Sequence, residues 1–195
     1  MTHKADIDID FGNRNEILQL IEHIPARKNH KGKPEKHATG IYVQPIPFDP
    51  RYGCSALHYK EADERGYFKL DFLNVSVYRH IKNYEHYEKL LNTEPPWHRL
   101  KEPDFVKQIV HIGNYSKIAA QMMPDSIPRM AMFIAALRPG KKHLLGKSWK
   151  EISETIWDRE ESDKYTFKKA HAVAYAVLVA LHMNIINEKH SIIHQ

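Results

Sequence analysis

Asp6-Ile7-Asp8-Ile9-Asp10-Phe11 alternates acidic and apolar residues without a break. A period of two is the mark of a β-strand, whose successive side chains point to opposite faces. Ile7, Ile9 and Phe11 are expected to face a core, which lines up Asp6, Asp8 and Asp10 on the other face. Ionised carboxylates about 7 Å apart on one face repel and raise each other's pKa. A divalent cation removes that cost, and an all-oxygen ligand set suits Mg²⁺ or Mn²⁺. A solvated acidic edge strand is the plainer alternative, and periodicity alone leaves the two level. A calcium loop does not fit, because the sixth position is Phe11 rather than glycine and the twelfth is Ile17 rather than glutamate.

Downstream, Asn13 and Glu16 have the spacing of a capping box. Ile17, Leu18, Leu20, Ile21 and Ile24 then fall at helical spacing, and Pro25 ends the predicted helix. Residues 27–37 are expected to form a polar loop with five cations, Arg27, Lys28, Lys31, Lys33 and Lys36, against Glu35. Strands are predicted over 39–44 and 67–72. In the second, Phe68, Leu70 and Phe72 share one face and Lys69 and Asp71 the other. If this strand pairs beside the first, Asp71 joins Asp8 and Asp10. Carboxylates that hold two metals are the machinery of phosphoryl and nucleotidyl transfer. A plain surface pair between Lys69 and Asp71 is the alternative.

From there the pattern turns helical: 75–91, then short helices from Asp104 onward broken by Gly113, Pro124-Asp125 and Pro139-Gly140, then an alanine-rich apolar helix over 167–187. Strands and helices first, helices alone afterwards, make the expected class α+β. Composition narrows the field. The chain has 195 residues and a mass of 22.9 kDa, with 42% hydrophobic and 27% charged residues, which excludes collagen-like, coiled-coil and disordered chains. No apolar run of membrane length is expected. Met1-Thr2-His3-Lys4 runs into acidic residues, unlike a signal peptide. The one cysteine, Cys54, excludes an internal disulfide and a multi-cysteine zinc site, and fits a reducing, cytoplasmic setting. The net charge of +5 permits a polyanionic partner. Arg138, Lys141, Lys142, Lys147 and Lys150 form a run free of acids, and on composition alone a solvated loop is the favoured reading of it. The 14 histidines are scattered, with no H-E-x-x-H context to make a metal site.

These residues resemble the palm of the family C replicative DNA polymerases. That family carries Pro-Asp-[Phe/Ile]-Asp-[Val/Ile]-Asp-Phe, against Ala5-Asp6-Ile7-Asp8-Ile9-Asp10-Phe11 here. The similarity continues in the family's order. His37-Ala38-Thr39-Gly40-Ile41-Tyr42-Val43 is similar to its His-Ala-Gly-Gly-Val-Val-Ile segment. Gly66-Tyr67-Phe68-Lys69-Leu70-Asp71-Phe72-Leu73 is similar to Gly-Leu-[Val/Leu]-Lys-[Phe/Met]-Asp-Phe-Leu. Ala135-Ala136-Leu137-Arg138-Pro139-Gly140 is similar to the fingers segment ending in Ala-Leu-[Phe/Tyr]-Arg-Pro-Gly. Phe167-Lys168-Lys169-Ala170-His171-Ala172-Val173-Ala174-Tyr175-Ala176 is similar to Phe-Asn-Lys-Ser-His-Ala-Ala-Ala-Tyr-[Ala/Gly].

The resemblance implies an incomplete nucleotidyltransferase palm of the polymerase beta type over residues 1–92 and a helical, fingers-like region over 93–195. It implies DNA-templated DNA synthesis, with Asp8, Asp10 and Asp71 catalytic and binding Mg²⁺ or Mn²⁺. Lys69, Arg138, Lys141, Lys168, Lys169 and His171 are expected on nucleotide phosphates. Arg27, Lys28, Lys31, Lys33, Lys142 and Lys147 are expected on DNA, where such contacts are independent of sequence and sensitive to salt. The expected partners are a primer–template, a deoxynucleoside triphosphate and, as an alternative, a second chain. The family's proteins are several times longer, with a separate domain before the palm, an upstream Gly-Ser segment and a thumb where this chain has only residues 12–36. The reduction points to a virus or mobile element. Two further readings stay open: half of a split polymerase, and a non-catalytic DNA-binding or polymerase-associated remnant.

Overall fold

The computed structural model describes residues 7–158 and 166–193. The fold is α+β, and the chain divides into two compact units, residues 1–80 and 81–195.

The first unit is built on a mixed four-stranded sheet of order β1-β6-β3-β2, from β1 (Ile7–Phe11), β2 (Ile24–His30), β3 (Lys33–Tyr42) and β6 (Leu70–Asn74). β1 and β6 run parallel, with Asp8 opposite Asp71, and Gly40 of β3 pairs antiparallel with Asp71 on its other side. Two two-residue strands, β4 (Phe48–Asp49) and β5 (Cys54–Ser55), form a second small sheet. Ala26, Tyr42, Ile46 and Ala62, the last from helix α2 (Tyr59–Glu64), make a small core on the β3–β2 side. On β1 the apolar face is only partly covered. Ile7 is 41% exposed, contrary to its expected place in a core, while Phe11 meets Phe72 at 4.7 Å.

Three expectations for this unit are corrected. The predicted long helix is only α1 (Arg14–Leu18); Leu20 is 80% exposed, and Ile24 is drawn into pairing with Tyr42. The predicted basic loop is instead the β2–β3 hairpin. Lys31 and Gly32 take φ of 49° and 78°, the double left-handed geometry of a two-residue turn matched to strand twist. The strand predicted over 67–72 starts later, at Leu70.

The second unit is helical: α3 (Tyr84–Asn92), α4 (Pro103–Lys107), α5 (Ser116–Met122), α6 (Ile127–Ala136), α7 (Trp149–Thr155) and α8 (Lys169–Ile193). Its core gathers Phe105, Met130, Phe133, Ile134, Ile152 and Met183. The expected boundary after residue 92 moves to residue 80, because α3 belongs with α8. Asn184 donates to the carbonyls of Leu90 (2.9 Å) and Thr93 (2.8 Å), and His86 meets Glu188 at 2.8 Å. The single helix predicted over 75–91 is a 3₁₀ turn (Ser76–His80) and α3, whose Asn83 side chain caps it at His86 N. The expectation of no membrane-length apolar segment is also corrected. Lys169–Ser191 has the length and composition to cross a membrane, with mean hydropathy 1.4, and 56% of that window is buried inside the protein, as in a core helix.

Candidate functional site

The parallel pairing of β1 with β6 sets the first site. Register places Asp8 and Asp71 side by side, and strand alternation puts Asp10 on the face of Asp8. Asp10 carries the electrostatic strain of this arrangement. Burial pushes its carboxyl up, the Asp8 charge pushes it further, and a hydrogen bond from Tyr78 pulls partly back. Asp6 lies outside the described residues.

Asp71 is 8% exposed and fully engaged. One carboxylate oxygen accepts from the Thr39 hydroxyl at 2.6 Å, and the other accepts from Lys69 Nζ. Burial pushes its carboxyl up, but the hydrogen bonds from Lys69 and Thr39 outweigh that and hold it below the usual range. His37 adds a third neighbour, with Nδ1 3.7 Å from Asp71 Oδ1. That nitrogen accepts from the Gly40 amide at 2.8 Å, so the ring proton belongs on Nε2. Burial, then the Lys69 charge, lowers the His37 pKa and keeps the ring neutral. Gly40 packs directly against this cluster. A Cβ there would sit 2.8 Å from Lys69 Cδ and 3.0 Å from His37 Nδ1. Tyr42, next along the same face, has its hydroxyl pKa pushed up to about 12, by burial first and the Asp71 charge second.

Among the described residues, no group of three or more His, Cys, Asp or Glu side chains is gathered tightly enough to hold a metal. Asp8 and Asp71 are neighbours, but Lys69 and Thr39 draw the Asp71 carboxylate aside and Tyr78 engages Asp10. The donor chemistry nonetheless fits a hard divalent cation. The set is all oxygen, and a cation there would relieve the repulsion between Asp8 and Asp10.

The hairpin cations separate by their partners. Arg27 is tied into the fold, its guanidinium donating to the Ala56 carbonyl at 2.6 Å, and Lys28 pairs with Glu35 at 2.8 Å. Lys31 and Lys33 project exposed at the hairpin tip.

In the second unit, Arg138 stacks over the Phe167 ring at 4.3 Å, and Phe167 lies 6.2 Å from His171. Lys169 reaches over Trp157 at 5.9 Å, and Lys168 is exposed at the entry to α8. Arg138 and His171 thus meet one ring, Phe167, and Lys169 meets another, Trp157. Lys141 does not belong with them: it is 3% exposed and donates to the Thr155 carbonyl at 2.8 Å, so it holds the loop to α7 rather than facing solvent. Lys142 and Lys147 are exposed.

Sequence reasoning missed Tyr78 and His111. Tyr78 reaches Asp10, and His111, with φ 65°, packs on Tyr175 at 4.2 Å. Burial, then Arg138, lowers the His111 pKa. Neither lies in a motif, and only the fold brings them to their partners. Thr39 and His37 lay within a quoted motif, but their role at Asp71 follows from the β3–β6 register alone. No family model, curated protein or solved structure matches this chain.

Proposed function

We propose that this chain carries out DNA-templated DNA synthesis, transferring nucleotides to a primer 3′-hydroxyl. The observation that carries the reading is the parallel pairing of β1 and β6, which sets Asp8 beside Asp71 with Asp10 on the same face. The order of motifs resembling family C polymerases supports the same reading.

Two divalent cations held by Asp8, Asp10 and Asp71 would supply the Lewis acidity that activates the hydroxyl and steadies the triphosphate. The chain's own residues do the rest. Lys69 donates to Asp71 and sets an ammonium beside the carboxylates, where it would meet phosphate charge. The Thr39 hydroxyl, which donates to Asp71 Oδ1, keeps the carboxylate oriented. Arg138, Lys169 and His171 take phosphate charge, as cations with fixed geometry do in phosphoryl chemistry. Lys31 and Lys33 hold the nucleic-acid backbone, with Lys28 contributing less because Glu35 already neutralises it.

Primer extension on a primed template with Mg²⁺ or Mn²⁺ tests this. The wild type should extend, and Asp8→Asn and Asp71→Asn should each lose at least about a hundredfold in rate, the scale of removing one preorganised charge. A folded protein that binds DNA and extends nothing would overturn the self-sufficient reading. The edge position of β1 favours one alternative, a split enzyme in which a partner chain adds a strand beside β1. Extension that appears only when a partner is supplied would support it.

A further inference from the structure

A cavity of about 300 Å³ lies between the start of β2 and the end of β3, lined by Ile24, Tyr42, Val43, Gln44, Pro45 and Ile46, with Glu22 and His23 beside them. Ile24 pairs with Tyr42 across the two strands, so the register sets these walls. Two of the lining residues hold buried polar atoms with no partner among the described residues: the Tyr42 hydroxyl and Gln44 Nε2. Tyr42 is 1% exposed. Such groups forfeit their bonds to water and gain none in return, and a native fold keeps few of them. Both can donate. Gln44 does so through its amide N–H, and burial, then the Asp71 charge, keeps the Tyr42 hydroxyl protonated with a pKa of about 12. Acceptors stand next to these donors. His23 Nδ1 meets the Ile21 carbonyl at 3.0 Å, which puts the ring proton on Nδ1 and leaves Nε2 to accept. Glu22 adds an exposed carboxylate, and among the described lining residues none is Lys or Arg. An anion entering this cavity would meet a like charge and no counter-charge.

We propose that this cavity binds a small neutral amide, one with an N–H beside its carbonyl on an apolar ring. The two unpartnered donors match the two lone pairs of the carbonyl oxygen. The amide N–H meets the acceptor edge of His23 and Glu22, and the ring lies among Ile24, Pro45 and Ile46. The volume is at the small end for ligand sites, which suits a single ring. The site lies within the first unit and stands apart from the polymerase reading.

Benzamide titrated into the full, ¹⁵N-labelled chain tests this by NMR. The Val43 and Ile46 backbone amides and the Gln44 side-chain amide should shift saturably. Benzoate has the same ring but a charge and no N–H, and should bind at least about tenfold more weakly, because its charge would be buried unpaired. Tyr42→Phe keeps the ring and Gln44→Leu keeps the bulk, and each should weaken benzamide about fivefold to tenfold, the scale of one hydrogen bond. In the absence of benzamide both variants should melt no lower than the wild type, since each deletes an unpaired donor. A clear fall in the melting temperature of Tyr42→Phe would show that the hydroxyl is already paired in the fold, and would overturn the proposal. So would the absence of a saturable shift, equal binding of benzoate, or a benzamide affinity that neither variant changes.

Discussion

Asp71 shows how one carboxylate is held ready. It is nearly buried, which by itself disfavours its charge, yet the ammonium of Lys69 and the hydroxyl of Thr39 keep it ionised. Its folded pKa lies below the ordinary 3.8. The stability it contributes is therefore present above that value and is lost as pH falls through the lower folded value. Lys69→Met removes the strongest counter-charge and leaves burial to act. The Asp71 pKa should rise toward or above the ordinary value, the acid-induced loss of stability that Asp71 contributes should shrink, and about 2 kcal/mol should be lost at neutral pH, as for a hydrogen bond to a charged group. Carboxyl chemical shifts followed by NMR against pH check this. An unmoved Asp71 pKa would show that the ammonium does not hold the carboxylate.

At the scale of elements, the β2–β3 hairpin turns a run of cations into a structured projection. Its register sets Arg27 opposite Lys36, a like-charge pair that weakens the ladder, and Lys28 opposite Glu35, which restores it. The Lys31-Gly32 turn closes it. A Cβ on Gly32 meets nothing within 4 Å, so only backbone strain opposes a side chain there. Gly32→Ala should cost about 1 kcal/mol, the penalty of left-handed backbone for a residue with a Cβ. The urea midpoint of the first unit should fall accordingly. A midpoint shift near zero would show that this turn geometry does not limit stability.

At the scale of the molecule, the two units are stabilised differently. The first has a small core and a partly covered sheet, while the second buries a continuous cluster from α4 to α8. Trp97, Trp149 and Trp157 all lie in the second unit, so tryptophan fluorescence reports on that unit. Phe133 is fully buried there, and Phe133→Ala should cost about 4 kcal/mol through lost transfer energy and a residual cavity. A fluorescence-detected denaturant transition should shift by that amount. A loss under about 1 kcal/mol would mean that the cluster closes over the gap.

By itself, the sequence determined the β1 alternation, the α+β class and the helical second half. All of these follow from local periodicity, because a period of two or of 3.6 is written into neighbouring residues. It did not determine that residues 24–37 form a hairpin. There the apolar spacing through Ile24 mimicked a helix, and pairing with Tyr42 and the Lys31-Gly32 turn prevailed. Nor did it show that α3 joins α8, that Lys141 is turned inward onto Thr155, or that Tyr78 reaches Asp10. Those contacts span 14 to 102 residues of chain. Which distant side chain meets which is decided by strand order, register and packing, and only the tertiary structure fixes those.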